Sequence, residues 1–338
     1  VEGNWPTALA PMQDVTGLPF MKVIARRGSP DFYFTEFIRV HAHSSISPEI
    51  LSSIIDKPDG RPVFAQLIGE NLDDLRRVAR EMNSYPISGL DLNLGCPAPR
   101  VYRKNVGGGL LRDPDKIREI IEVLSQETNF LLSVKMRIGF EDDRFFEPIL
   151  NILAESTVGL VSIHARTVKG GYNSTPSYEH VGKAVRWLPC PVLLNGSVET
   201  GDHALSLREK TGAHGIMIGR SAIRNPWIFR QIRDLQSGRG IFQPKLADLF
   251  DYFEDLYASL EKPGIREESL VGRMKKFLNF VGLSVDSEGD FLFHMRRART
   301  RPELFQVCKR FMLDEGRGGE DYSLEPFDRP VAENGRRQ

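Results

Sequence analysis

From the N-terminus to about Trp227, short apolar runs alternate with amphipathic stretches. The runs cover residues 7–10, 33–35, 63–67, 90–93, 131–135, 160–164, 192–195 and 215–218. Most are bounded by Gly, Pro or polar residues, which is how strands buried on both faces read. The stretches between them carry helix start signals. Asn71 can cap a helix running through Met82, and Asp113-Pro114 places proline at a first helical position. Eight strands alternating with helices predict an α/β fold, a (β/α)8 barrel over residues 1–237, with an open doubly wound sheet as the alternative. Polar residues separate the two. Gln66, Asn93, Lys135, His164 and Asn195 each fall at or beside the C-terminal end of an expected strand. A barrel gathers those ends on one rim, whereas an open sheet spreads them along an edge.

After Gly238 the pattern turns helical only. Leu246–Leu260, Glu267–Val281 and residues 303–313 show helical apolar spacing and predict a small all-helical C-terminal domain at 245–313, after a linker near 236–244. Residues 314–338 are rich in Gly, Pro and charge with few core formers, so a mobile tail is expected.

Composition changes the picture little. The chain has 338 residues, and its 45 basic and 45 acidic side chains cancel, so a polyanionic partner needs a local patch. No apolar run reaches the roughly 20 residues that span a bilayer, and no basic-then-apolar leader precedes the first strand. Cys96, Cys190 and Cys308 are few and far apart, which suggests reduced thiols in the cytoplasm. Nothing pairs Cys and His at zinc spacing, so no metal is expected.

Three constellations carry chemistry. Asp91-Leu92-Asn93-Leu94-Gly95-Cys96-Pro97 runs from a strand end into a tight turn, followed by Gly107-Gly108-Gly109. A thiol held there can act as nucleophile or proton donor, or simply pack as a small hydrophobe. Asn195-Gly196-Ser197 and Ile218-Gly219-Arg220-Ser221 follow the seventh and eighth strands, where barrels commonly hold a phosphate, and Arg220 can add a bidentate contact. Lys135 ends an apolar strand, a costly position unless it is paired or faces a ligand, and Gln66 offers both donor and acceptor.

These residues together resemble the tRNA-dihydrouridine synthase family over roughly residues 7 to 230. The resemblance rests on Leu9-Ala10-Pro11-Met12, Thr35-Glu36-Phe37, Gln66, the Asn93-to-Pro97 motif and Lys135-Met136-Arg137, then His164-Ala165-Arg166-Thr167, Asn195-Gly196 and Gly219-Arg220. Ser197-Val198 and Ala165 depart from the family's usual residues. The resemblance implies that Pro11, Met12, Gln66, Lys135, His164, Asn195, Gly196, Gly219 and Arg220 bind FMN, with NADPH as transient reductant. It makes Cys96 the general acid, with Asn93, Arg137, Arg166 and Tyr172 around the uridine. Hydride would pass to C6 of the base and a proton to C5. No Rossmann fingerprint appears, in keeping with a nicotinamide that does not stay bound.

The implied partner is tRNA, bound by a cytoplasmic monomer. A stacked uridine cannot reach a barrel rim, so it must be extruded. Candidate phosphate contacts are Arg100, Arg103 and Lys104 beside the cysteine loop, then Arg273, Lys275, Lys276, Arg296 and Arg297, with Arg299 and Arg301 nearby. The stretch Thr35-Glu36-Phe37-Ile38-Arg39-Val40 looks closest to the bacterial subgroup acting in the D-loop at position 16. The alternatives are a flavin barrel acting on a small molecule, in the manner of dihydroorotate dehydrogenase, an RNA-binding module without catalysis, and a barrel enzyme without flavin.

Overall fold

Eight parallel strands, β1 (Thr7–Leu9), β2 (Phe32–Arg39), β3 (Val63–Ile68), β4 (Gly89–Leu94), β5 (Leu131–Arg137), β6 (Leu160–His164), β7 (Val192–Asn195) and β8 (Gly215–Ile218), close in chain order into a barrel. The computed structural model describes residues 4–327. Each apolar run of the sequence forms a strand, and the closed order excludes the open sheet. β2 extends well past its apolar run because the register slips between Phe34 and Phe37. That irregularity turns Thr35 toward β3, where its hydroxyl accepts the Gln66 N–H at 3.1 Å.

The barrel interior is layered. At its floor Phe34, Phe64, Leu160, Leu193 and Met217 form a closed apolar cluster, with Phe34 and Phe64 stacked at 4.8 Å. Gly89 makes room for this layer, since a Cβ there would meet the Phe64 ring at 2.3 Å. Asn71 and Asp113 cap their helices as expected, accepting the backbone N–H of Asp74 and Lys116 at 3.0 and 3.1 Å.

Beyond the barrel lie helices Leu246–Leu260, Glu267–Val281, Asp290–Arg297 and Arg301–Met312. The third, a short helix, is not visible in the apolar spacing. These helices share one continuous apolar core with the outside of the barrel. Phe20 meets Phe277 at 5.3 Å, and Asp255 accepts from Arg26 and Arg27 at 2.9 and 2.6 Å. The chain after Met312 turns back across this junction. Tyr322 is fully buried and donates to the Arg224 carbonyl at 2.9 Å. Residues 328–338, the rest of the stretch expected to be mobile, lie outside the described residues. Among the described residues no helix is long and apolar enough to cross a membrane.

Candidate active site at the barrel rim

Above the apolar floor the inward positions become polar. Strand register sets Gln66 beside Asp91, Asp91 beside Ser133, and Asn93 beside Lys135. Arg137 then pairs with His164, and His164 with Asn195. The polar strand ends of β3 to β7 therefore meet on one rim, as the barrel reading requires.

Their hydrogen bonds are continuous. Ser133 Oγ and Gln66 Nε2 each donate to the Asp91 carboxylate at 2.6 Å. Asn93 Nδ2 donates to Gln66 Oε1 at 2.7 Å, and Asn93 Oδ1 receives the N–H groups of Gly95 and Cys96, both at 3.0 Å. Across the barrel Lys135 Nζ donates to Asn195 Oδ1 at 3.1 Å, while Asn195 Nδ2 donates to the Met217 carbonyl at 2.8 Å. Cys96 is half-buried as a free thiol. A Cβ at Gly108 would stand 2.8 Å from the Cys96 carbonyl, so the glycine run is what lets that backbone close against the cysteine turn.

Positive charge concentrates here without ion-pair contacts. Arg137 donates to the carbonyls of Gly95, Thr167 and Gly171 at 3.0, 2.9 and 3.2 Å. Arg166 donates to the Ser174 carbonyl at 2.5 Å and to Ser197 Oγ at 2.8 Å. The Arg220 guanidinium lies 3.9 Å from the Tyr172 ring centre, with Arg137 on the same ring at 5.4 Å. None of Lys135, Arg137, Arg166 and Arg220 contacts a carboxylate at ion-pair distance among the described residues. Burial, then the charge of Arg137, pulls Lys135 down to about 8, against the opposing pull of Asp91 and Cys96. Burial, then Arg137, Lys135, Arg166 and Arg220, holds His164 far below the ordinary imidazole range, so it is neutral. Its Nδ1 and Nη1 of Arg166 are buried with no partner.

Gln66, Asn93, Lys135, Arg137, His164, Arg166, Asn195 and Arg220 come together in this region, and Tyr172 with them, its ring 6.2 Å from that of His164. Met12 joins it from the β1 end, where a Cβ on Gly219 would lie 3.5 Å from its sulfur. Ser133 and Tyr178 escape the motif reading, and Asp91 enters it only as the first residue of the cysteine motif, with no role of its own. Asp91 and Ser133 sit two residues before Asn93 and Lys135 on the same inward faces, and that alternation is the signal that could find them. Tyr178, whose hydroxyl donates to the Gly196 carbonyl at 3.0 Å, gives no local signal.

The basic clusters are less uniform. A cavity of about 420 Å³ beside the cysteine loop is lined by Asp14, Phe37, Arg39, His41 and Arg100. Lys276 of the Glu267–Val281 helix pairs with Asp14 at 3.3 Å, which brings the two cation groups to one side of the mouth. Lys275 is bonded to the Arg296 carbonyl at 3.0 Å, Arg296 to Asn279 at 2.8 Å, and Arg297 lies 3.5 Å from the Phe293 ring centre.

A closed parallel barrel with a thiol, amides and unneutralised cations on its C-terminal rim defines a barrel enzyme for an electron-rich ligand. Residues 8–286 match the family model described as dihydrouridine synthase, and the chain belongs to that family of oxidoreductases. A probable tRNA-dihydrouridine synthase of Helicobacter pylori is 33% identical over 67% of this chain and 69% of its own length. A probable tRNA-dihydrouridine synthase of Staphylococcus aureus is 31% identical over 79% of this chain and 82% of its own length. The tRNA-dihydrouridine(16) synthase of Neisseria meningitidis is 26% identical over 90% of this chain and 93% of its own length.

Proposed function

We propose that this chain reduces the C5–C6 bond of a uridine in tRNA to dihydrouridine, with flavin mononucleotide as its resident cofactor. The observation that carries the reading is the meeting of Cys96 with four cations free of carboxylate contacts at one barrel mouth. Those residues fit a flavin mononucleotide. The unpartnered His164 Nδ1, and Gly219 without a side chain beside Met12, suit a flat ligand rich in acceptors. Arg220 and the glycine turns after β7 and β8 suit its phosphate. Pro11, Met12, Gln66, Lys135, His164, Asn195, Gly196, Gly219 and Arg220 would hold it.

A flavin mononucleotide held there would supply the hydride for C6 of the base, with NADPH as the source of its electrons. Cys96 gives its proton to C5, so one hydride and one proton saturate the bond. Lys135 offsets negative charge beside the reacting ring, and Asn93, Arg137, Arg166 and Tyr172 line the base. Because His164 is neutral, it can accept or donate one hydrogen bond without adding to the positive field.

The base reaches this depth only after leaving its stack, and phosphate contacts offset that cost. Arg100, Arg103 and Lys104, together with Arg273, Lys275, Lys276, Arg296 and Arg297, would supply them from the side of the mouth where Asp14 joins Arg100 and Lys276. The Thr35-to-Val40 stretch and the relative named for position 16 support that uridine as the target.

The test is to incubate the protein with NADPH and unmodified tRNA and read nucleosides by mass spectrometry. A uridine that gains two hydrogens is expected. Turnover of free pyrimidines with none in tRNA would instead favour a small-molecule flavin barrel.

A further inference from the structure

Asp91, fully buried, terminates a one-way chain of hydrogen bonds that starts at the cysteine turn. The N–H groups of Gly95 and Cys96 can only donate, so Asn93 must present its oxygen to them, at 3.0 Å each. Its nitrogen is thereby aimed at Gln66 Oε1, 2.7 Å away. The Gln66 nitrogen is left facing Asp91 at 2.6 Å, where only an acceptor can receive it. The second Asp91 oxygen is held by Ser133 at 2.6 Å. Both amides are therefore fixed from two ends, by backbone donors above and by a carboxylate below. Turning either amide over would set donor against donor and acceptor against acceptor among groups that are buried.

We propose that Asp91 is a positioning residue: its carboxylate locks Gln66 and Asn93 in one amide orientation and so fixes the turn that carries Cys96. The inference rests on the reading of Cys96 as proton donor, although its test does not require turnover. Burial raises Asp91 to about 6, against the bonds from Ser133 and Gln66 and the charge of Lys135, so at neutral pH the group is mainly an acceptor.

Two substitutions separate orientation from charge. An asparagine at this position can keep its oxygen toward Gln66 and turn its nitrogen to Ser133 Oγ, which can accept, so the chain's direction survives. A leucine fills similar space and offers no acceptor. The experiment compares the wild-type protein, Asp91→Asn and Asp91→Leu for the rate at which iodoacetamide alkylates Cys96. Hydrogen exchange of the peptide containing Gly95 and Cys96 is followed alongside, with thermal unfolding as the folding control.

Asp91→Asn is expected to keep both rates within about twofold, and Asp91→Leu to change both by about fivefold or more, as a coupled network requires. Should Asp91→Leu fail to fold, Ser133→Ala, which frees one carboxylate oxygen, must shift both rates in the same direction. Wild-type rates in the leucine variant, or in Ser133→Ala where that stands in, overturn the proposal. So does an asparagine variant as disturbed as the leucine one, since charge would then be what matters. Dihydrouridine formation by Cys96→Ala would remove the proton-donor role while leaving this comparison to be judged on its own.

Discussion

The barrel interior changes character within one two-residue step along its strands. Phe64, Leu160, Leu193 and Met217 belong to the apolar floor, and two residues further on stand Gln66, Ser162, Asn195 and Gly219. Gln66, Ser162 and Asn195 are as buried as the floor beneath them, and Gly219 opens toward the rim just past the end of β8. The floor satisfies itself, ring against ring, whereas the upper layer gathers Lys135, Arg137, Arg166 and Arg220 with no carboxylate in contact. Arg137 and Arg166 are buried there, which is unfavourable for the protein alone and becomes favourable with an anionic, acceptor-rich ligand. Stability and chemistry are thus divided between neighbouring layers, and substitutions should separate them.

The largest effect on the fold is expected below. Phe64→Ala should lower unfolding free energy by about 3–5 kcal/mol in denaturant titrations, because it opens a cavity beside Phe34. A loss under about 1 kcal/mol would mean that the floor does not support the barrel.

Above it, Arg220→Ala should leave stability nearly unchanged and weaken flavin mononucleotide binding by about 1.5–3 kcal/mol, followed by flavin fluorescence. Full retention would remove Arg220 as the phosphate partner.

Lys135 sharpens the contrast, because affinity and stability should respond to pH in opposite directions. Its folded value of about 8 lies below the ordinary 10.5, so between these values the unfolded chain binds more protons and this group's contribution to stability rises with pH. Flavin affinity should fall as the pH passes about 8, since the anion loses its cation. Parallel titrations of melting temperature and flavin dissociation constant, for wild type and Lys135→Met, would show it. A wild-type affinity that stays flat, or that falls equally in Lys135→Met, contradicts the role.

Outside the barrel the effect should be smaller and purely electrostatic. Arg273→Glu should weaken tRNA binding and reduce the salt dependence of the affinity by about one unit of slope. An unchanged slope would direct the RNA away from the Glu267–Val281 helix.

The division between layers also explains what the sequence makes legible. Strands buried on both faces read as apolar runs whatever they face, so all eight can be read, as can the polar residues at their ends. The extra length of β2 is hidden, because a register slip between Phe34 and Phe37 leaves no local mark. The Asp290–Arg297 helix is too short for periodicity to accumulate. Ser133 goes unnoticed, and Asp91 stands in the cysteine motif without a role, because neither ends a strand. Their meaning comes from register with Gln66, a partner 25 residues from Asp91. The Lys276–Asp14 pair spans 262 residues, and only the folded chain brings it together.

In this mechanism the thiol of Cys96 and the cation-lined mouth act on one base. The most direct measurement is single-turnover reduction of tRNA by Cys96→Ala, with flavin content and tRNA affinity measured on the same preparation. Both binding quantities should match wild type while dihydrouridine forms about 10²–10⁴-fold more slowly, the usual contribution of a general acid. Formation of dihydrouridine at the wild-type rate would contradict the claim.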